Sequence, residues 1–332
     1  MDKYKTVVVT GADGLLGGNL VRQLQASGRT VRAFVQTNSP ALSLKDLTLD
    51  IVRGDLLDSD TTALDRALRG CDAVFHCAAV TDMKAPDALM WRVNYEGTRR
   101  VVDAALRCGV ARLVHTASAS SYAFGSAAQP GDESCPFPEL YKGLAYMESK
   151  RAASQYVRSQ IDKAGLDAVF VAPTFMIGPH DARPSSGELI RQFLVRRMPF
   201  VSPGGRNFVY VGDVAQAMVN ALERAPSGAE YILAGENLTY MEFFTRVARA
   251  AHVRAPLGEL PHALVYAAGA MGSALEALTR RPVALTWTVA KLACMYTFYT
   301  PAKAVAELGM PQTSLDQAIG EAIAGLTHYG HL

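Results

Sequence analysis

The sequence predicts an α/β fold, a doubly wound parallel sheet joined to a smaller, mostly helical substrate domain. Short β-branched runs alternate with longer amphipathic stretches through the first half of the chain, as they do in βαβ units. The short runs are apolar almost throughout, which is typical of parallel strands covered on both faces. A glycine-rich turn follows the first run directly.

The strand-like runs fall at regular intervals, with helical patterns between them. They occupy residues 6–10, 30–35, 49–54, 73–77, 112–117 and 167–173. After Pro173 the chain becomes rich in Pro, Gly and Ser, and from Leu238 it is mostly helical with no new strand signal. We therefore predict a dinucleotide-binding domain at 1–173, with 207–233 returning to its core, and a substrate domain at 174–206 and 234–332.

Composition excludes several classes of function. The 332 residues carry a net charge of +2, with 19% charged residues, so nothing indicates a nucleic-acid partner. Five scattered cysteines favour neither a disulfide framework nor a metal site. The N-terminal sequence enters a strand pattern at once and shows no signal peptide. We expect a cytoplasmic protein with no bound metal and a small-molecule substrate.

Two later segments, 263–275 and 283–299, are strongly apolar. Both are shorter than the roughly 18 uncharged residues that a membrane-spanning helix needs. We interpret them as helices of the substrate domain, and contact with a membrane surface is the alternative.

The glycine-rich turn TGADGLLG places Gly11, Gly14 and Gly17 between a strand and a helix. Such glycines allow a tight turn, close approach of a phosphate, and close packing of helix on strand. The pattern predicts a Rossmann-type nucleotide site. Asp55, just after the third strand, is placed either to meet the adenine or to cap a helix.

The end of the second strand normally decides between NAD and NADP, because an acid there binds the ribose 2′-hydroxyl and an arginine attracts a 2′-phosphate. This chain has neither in Val35, Gln36, Thr37, Asn38 and Ser39. The missing acid favours NADP slightly.

Tyr146 and Lys150 lie four residues apart in a helical pattern and so share a helix face. A nearby ammonium favours the phenolate, so we expect it to lower the Tyr146 pKa and fit this phenol for acid–base catalysis.

Together with these motifs, the chain resembles the extended short-chain dehydrogenases/reductases over nearly its whole length. The resemblance rests on TGADGLLG, GDL, HCAA (76–79), VNYEGT (93–98), YMESK, APTFMIGP (172–179) and FVYVGDVA (208–215). The sequence is most similar to the branch of dihydroflavonol reductases, 3β-hydroxysteroid dehydrogenases and hopanoid-associated sugar epimerases. The resemblance implies a catalytic triad of Ser118, Tyr146 and Lys150. In such a triad the tyrosine exchanges a proton with the substrate oxygen, the lysine binds ribose and the serine orients the oxygen.

The resemblance also implies binding residues. Those expected at the cofactor are Gly11, Gly14, Leu15, Gly17, Gln36, Asp55, Leu56, Ala78, Ala79, Tyr146, Lys150, Pro173, Phe175 and Met176. Those expected at the substrate are Thr81, Ser120, Tyr122 and Met176. His76 and Cys77 on their apolar strand are expected in the core or lining the cofactor, and Asn94 is expected to fix nearby backbone or to support a proton relay.

We therefore predict an NAD(P)-dependent oxidoreductase that interconverts a ketone and a secondary alcohol on a fairly apolar small molecule. A sugar or nucleotide-sugar epimerase with the same triad is the first alternative, and Arg196, Arg197 and Arg206 could then hold a diphosphate, although a solvated cluster explains them more simply. A non-catalytic dinucleotide sensor is the second. The helices near 87–108 and 141–164 match the family's dimer interface, so a homodimer is expected from resemblance.

The serine of the triad is ambiguous within HTASASSYAFG, residues 115–125. Counting along the strand selects Ser118, whereas in many relatives the serine stands five residues before a glycine, which selects Ser120. A strand end is a firmer reference than a loop that tolerates insertion, so Ser118 is preferred.

Overall fold

The computed structural model describes residues 3–280, 283 and 285–332. Residue 284, within the apolar segment 283–299, lies outside the described residues.

Thirteen strands occur among the described residues. They are β1 (Thr6–Thr10), β2 (Thr30–Val35), β3 (Asp50–Arg53), β4 (Ala73–His76), β5 (Arg112–Thr116), β6 (Ala168–Pro173), β7 (Phe175–Ile177), β8 (Phe200–Val201), β9 (Gly205–Tyr210), β10 (Glu230–Leu233), β11 (Glu236–Thr239), β12 (Gly258–Glu259) and β13 (Tyr296–Thr297).

The described part of the chain also forms twelve α-helices. They are α1 (Leu15–Ala26), α2 (Thr62–Leu68), α3 (Asp87–Met90), α4 (Thr98–Cys108), α5 (Ala145–Ala164), α6 (Gly187–Arg196), α7 (Val211–Arg224), α8 (Tyr240–Ala250), α9 (His262–Thr279), α10 (Trp287–Ala293), α11 (Ala302–Leu308) and α12 (Leu315–His328). A π-helical turn, Trp91–Gly97, joins α3 to α4.

The central sheet has seven strands in the order β10-β6-β5-β4-β1-β2-β3. Every neighbouring pair is parallel, so the predicted fold class is confirmed. Helices α1, α7 and α11 bury one apolar face of this sheet, and α2, α4 and α5 bury the other. Because the strands are parallel, their carboxyl ends share one edge, where ligands of such sheets bind.

A smaller four-stranded sheet, built from β7, β9, β11 and β13, stands beside that edge. The segment 207–233 therefore divides, because β9 joins the small sheet whereas α7 and β10 return to the large one. The small lobe has its own core, in which the Phe208 and Phe243 rings stack with centroids 4.0 Å apart. The two-residue strands β12 and β13 follow Leu238, where none was predicted, because so short a pairing leaves no periodic signal. No described helix combines the length and apolarity needed to cross a lipid bilayer.

The glycine loop offers a test of the packing that holds β1 against α1. A Cβ added at Gly17 would stand 2.1 Å from the Gly11 carbonyl oxygen and 2.7 Å from the Ala12 Cα. We expect Gly17→Ala to lower the free energy of unfolding by about 2 kcal/mol or more, as overpacking does. Gly14→Ala is the matched control, because its nearest contact is 3.4 Å and its φ is −82°. Chemical denaturation of both variants measures the difference, and equal loss of stability would contradict this account.

Candidate active site

The glycine loop lies where β1 meets α1, against the start of the segment that follows β4. Gly11 has φ +64°, and a Cβ there would stand 2.7 Å from the Ala78 Cα. The loop backbone thus lies too close to Ala78 for any side chain. Such a cradle, at the N-terminus of a twelve-residue helix, fits the diphosphate of a dinucleotide.

A cavity of about 340 Å³ opens along this cradle. Seven of the residues predicted at the cofactor line it: Gly11, Gly14, Gln36, Asp55, Leu56, Ala78 and Ala79. Cys77, expected in the core or at the cofactor, also lines it. Sequence reasoning missed seven others: Asp13, Phe34, Gly54, Val80, Leu89, Val93 and Arg183. The predicted Leu15 and Gly17 are buried in the first turn of α1, behind the cavity wall.

Asp55 lines the cavity, as expected of a residue near the adenine. Its Oδ1 accepts a hydrogen bond of 2.8 Å from the Leu57 backbone N–H within a turn, and it caps no helix, because α2 begins at Thr62. One oxygen therefore holds the turn while the residue faces the cleft.

Asp13 is an almost buried acid inside the glycine loop. Its Oδ2 accepts a hydrogen bond from the Ser39 hydroxyl and an ion pair of 2.7 Å from Arg183. Arg183 arrives from the Pro- and Ser-rich segment after β7, which gave no sequence signal of this contact. Asp13 in the glycine loop is therefore bonded both to the loop after β2, through Ser39, and to the segment after β7, through Arg183.

The predicted triad gathers at the carboxyl end of β5. Tyr146 and Lys150 stand one turn apart near the start of α5, and this helix packs against the 3₁₀ turn, Ala119–Ser121, that follows Ser118. Lys150 Nζ donates to the Thr116 carbonyl oxygen at 2.5 Å. Burial lowers the pKa of Lys150 to about 8. This arrangement can supply a proton to an oxygen placed beside Tyr146 and Ser118.

The Tyr146 pKa departs from the sequence-based expectation. Burial raises it above the ordinary value, and the hydrogen bond with Ser118 opposes that rise. The expected lowering by Lys150 is not observed. The helix spacing alone suggested that the Lys150 ammonium would lie beside the Tyr146 phenol. In the structure it donates to the Thr116 carbonyl oxygen instead.

Ser118 and Ser120 are neighbours within the turn, with their hydroxyl oxygens 2.8 Å apart. Ser118 directly precedes a 3₁₀ turn, Ala119–Ser121, and caps it through a 3.3 Å bond from the Ser120 backbone N–H. Ser118 is the serine whose hydrogen bonding opposes the rise in the Tyr146 pKa, which supports the choice made from the strand count.

Asn94 fixes backbone beside the triad. Its Oδ1 accepts from the Val80 N–H at 2.8 Å and its Nδ2 donates to the Val80 carbonyl at 3.1 Å. The same Nδ2 reaches the Ser149 hydroxyl at 3.2 Å. Thr81, predicted at the substrate, follows Val80 directly and is exposed.

The remaining predicted residues divide between the two lobes. Pro173 ends β6, after which Phe175 packs on the small-lobe core and Met176 on the core of the large sheet. Tyr122 lies apart from them: its ring is buried and its hydroxyl donates to Glu230 Oε2 at 2.5 Å, at the edge strand β10. In this structure Tyr122 therefore belongs to the core and not to the cleft.

Arg206 does not belong to the solvated cluster formed by Arg196 and Arg197, which are exposed. Its guanidinium lies 4.6 Å from the Phe175 ring centroid and its Nε donates to the Tyr240 hydroxyl at 3.0 Å. Side chains alternate along β9, so the sequence predicts that Arg206 and the buried Asn207 face opposite sides of the strand. The aromatic contacts of Arg206 arise only in the folded protein, where Phe175 on β7 and Tyr240 on α8 pack beside it.

Comparison with known proteins agrees with this geometry. The model of the NAD dependent epimerase/dehydratase family matches residues 7–234. The chain is 33% identical to the protein named "Putative dihydroflavonol 4-reductase" of Synechocystis sp., over 98% of this chain and 95% of the relative. It is 34% identical to "Sterol demethylase protein B" of Methylococcus capsulatus, over 70% and 71%.

Among solved structures, the crystal structure of gox2253 superposes with a TM-score of 0.88 at 31% identity and covers 99% of both chains. The parallel sheet, the glycine cradle and the family match thus all indicate the same family. The chain belongs to the NAD dependent epimerase/dehydratase family, within the extended short-chain dehydrogenases/reductases, and is an oxidoreductase of that group.

Proposed function

We propose that this enzyme reduces a ketone to a secondary alcohol on a fairly apolar small molecule, and that the reaction is reversible. The observation that carries the proposal is the grouping of three side chains: Ser118 just beyond β5, and Tyr146 and Lys150 one turn apart on α5, with the Lys150 Nζ bonded to the Thr116 carbonyl at 2.5 Å. A nicotinamide cofactor in the cleft would supply the hydride.

Each side chain has a distinct task in this reaction. Tyr146 donates its proton to the substrate oxygen as that oxygen gains negative charge. Ser118 holds the same oxygen in place. Lys150 is fixed by the Thr116 carbonyl, and its positive charge beside the site favours an anionic oxygen.

The apolar character of the substrate is inferred from the surroundings of the triad. Tyr141, Phe124 and Phe137 form a ring cluster just before α5, with centroids 6.1 and 6.2 Å from Tyr141. The relative from Methylococcus capsulatus carries a sterol in its name. Both observations favour a hydrophobic ketone over a free sugar.

We also propose that the enzyme prefers NADP to NAD, because the fold brings Arg53 to the loop after β2 and the sequence did not indicate this position. Arg53 ends β3 and pairs in register with Val35 at the end of β2. Its Nη1 donates to the Ser39 carbonyl at 2.6 Å, and a guanidinium at the loop after β2 would lie where the 2′-phosphate of NADP is expected. The nearby acid, Asp13, is already paired with Arg183, and this pairing offsets its repulsion of a 2′-phosphate.

Epimerisation of a nucleotide-linked sugar remains the second candidate, and Arg206 is the observation that favours it. The guanidinium is clamped by Phe175 and Tyr240 next to the strand that follows Pro173. It could bind a diphosphate there. An epimerase consumes no added cofactor, so steady oxidation of NADPH by ketones separates the two functions.

The acid–base role is tested by Tyr146→Phe. We expect reduction of a model ketone to fall by about 100-fold or more, because general acid catalysis is lost. Binding of NADPH, measured by fluorescence titration, should stay unchanged and serves as the control for folding. Full activity in the variant would contradict the proposed mechanism.

The serine of the triad is tested by a pair of variants. We expect Ser118→Ala to lower kcat/KM by about 100-fold, since it removes a hydrogen bond made to the reacting oxygen. Ser120→Ala removes only a neutral bond to Ser118 and should cost about fivefold. Steady-state kinetics decides, and a larger loss in Ser120→Ala would reverse the assignment.

The cofactor preference is tested at Arg53. We expect Arg53→Ala to weaken NADPH binding by about tenfold, the usual scale of a charge-assisted hydrogen bond, and to leave NADH binding unchanged. Arg66→Ala, an exposed arginine on α2, is the matched control. Equal loss for NADH and NADPH would show that Arg53 only supports the loop.

A further inference from the structure

Helix α9 turns its large apolar side chains away from the protein. Its exposed face carries Leu264, Met271, Leu275 and Leu278, which are 58%, 68%, 51% and 84% exposed. Its buried residues are Val265, Gly269 and Gly272, packed towards α10. The usual arrangement of a surface helix, with its larger apolar residues inward, is inverted here.

Close contact with α10 fixes this orientation. A Cβ at Gly269 would stand 2.5 Å from the Ala290 Cβ, and one at Gly272 would stand 1.9 Å from the Leu285 carbonyl oxygen. Larger side chains do not fit on the inner face, so α9 cannot rotate to bury its leucines. A contiguous apolar stripe of this kind marks a contact surface.

The hairpin of α9 and α10 arises beside the candidate active site. It is inserted between β12 and β13, and β13 pairs with β9 at Arg206. The carbonyl of Phe298 accepts a 3.0 Å hydrogen bond from Gly125, in the loop that begins at Ser118. The exposed stripe and the substrate side of the cleft thus share one part of the molecule.

A basic side chain follows the end of the stripe, and a basic and an aromatic side chain lie on the neighbouring helix α10. Arg280 is exposed directly after α9, and Lys291 Nζ stands 5.3 Å from the ring centroid of the half-exposed Trp287. Cations beside a tryptophan suit the headgroup region of a bilayer, where the charge reaches phosphate and the stem remains in apolar surroundings.

We propose that this face of α9 lies on the surface of a phospholipid bilayer that contains anionic lipids. From Leu264 to Leu278 the stripe is about 21 Å long at 1.5 Å per residue, and about 10 Å wide. The resulting area, about 200 Å², is far below the roughly 800 Å² per partner of a specific protein interface. A bilayer needs no complementary surface, because each inserted side chain contributes independently.

The purpose of the contact rests on the proposed function, whereas the contact itself does not. An apolar ketone dissolved in the bilayer would reach the cleft from the side on which α9 lies. The failure of the reductase proposal would leave vesicle binding intact, so the two can be distinguished.

The experiment is vesicle flotation of the full chain. The vesicles contain phosphatidylcholine alone or phosphatidylcholine with phosphatidylglycerol. We expect the protein to float with the anionic vesicles and less with neutral ones, and salt should weaken the difference. Met271→Glu/Leu275→Glu/Leu278→Glu should reduce the apparent affinity by at least about tenfold. Val195→Glu, which is 58% exposed on α6, is the matched control and should float normally.

A single variant guards against misfolding of the triple one. Leu278→Glu alters the most exposed side chain of the stripe, and we expect it to weaken flotation and to leave the thermal midpoint and NADPH binding unchanged. Absence of wild-type flotation with either vesicle would overturn the proposal. So would a concentration-dependent dimer, measured by analytical ultracentrifugation, that these substitutions dissociate without any vesicle binding.

Discussion

The candidate site depends on one buried contact, between the Lys150 ammonium and the Thr116 carbonyl oxygen. Burying an ammonium is costly unless it is hydrogen-bonded, and burial accordingly lowers the Lys150 pKa to about 8. The contact ties α5 to the last residue of β5. Tyr146, one turn earlier, is thereby held against Ser118, just beyond the same strand. The relative positions of the three predicted triad residues thus depend on this one hydrogen bond.

A neutral polar core beneath the triad supports this anchor. His76 Nδ1 meets the Thr10 hydroxyl at 2.8 Å and its Nε2 meets that of Thr98 at 2.9 Å. Thr98 itself donates to the Asn94 carbonyl, so His76 carries its proton on Nε2. Burial, and then the charge of Lys150, lowers the His76 pKa to about 3. The imidazole therefore stays neutral and links β1 and β4 to the helical segment that carries Asn94, without adding a second charge beside the lysine.

The second lobe supplies what distinguishes this enzyme from a bare nucleotide-binding domain. Arg183 reaches back to the glycine loop, Arg206 stands clamped between rings, and α9 presents an apolar stripe. All three belong to segments that follow β6. They add to the glycine-loop cleft a small lobe that carries aromatic and cationic side chains, and an exposed apolar helix face. Such division of labour between lobes is how one fold accommodates many substrates.

The sequence alone determined the parallel sheet and the glycine cradle, and it predicted Tyr146 and Lys150 on one helix face, because each is encoded within a few consecutive residues by strand pattern, glycine spacing or helix spacing. Family resemblance added Ser118 to this pair, with Ser120 as the alternative. Tertiary structure decided the rest. Arg53 reaches the Ser39 carbonyl through strand register, and Arg183 reaches the cleft through a return of the chain, and no local pattern records either contact. Tyr122 faces the core because Glu230, far along the sequence, lies beside it. The pKa of Tyr146 and the outward face of α9 follow from burial and close packing, which depend on neighbours distant in sequence.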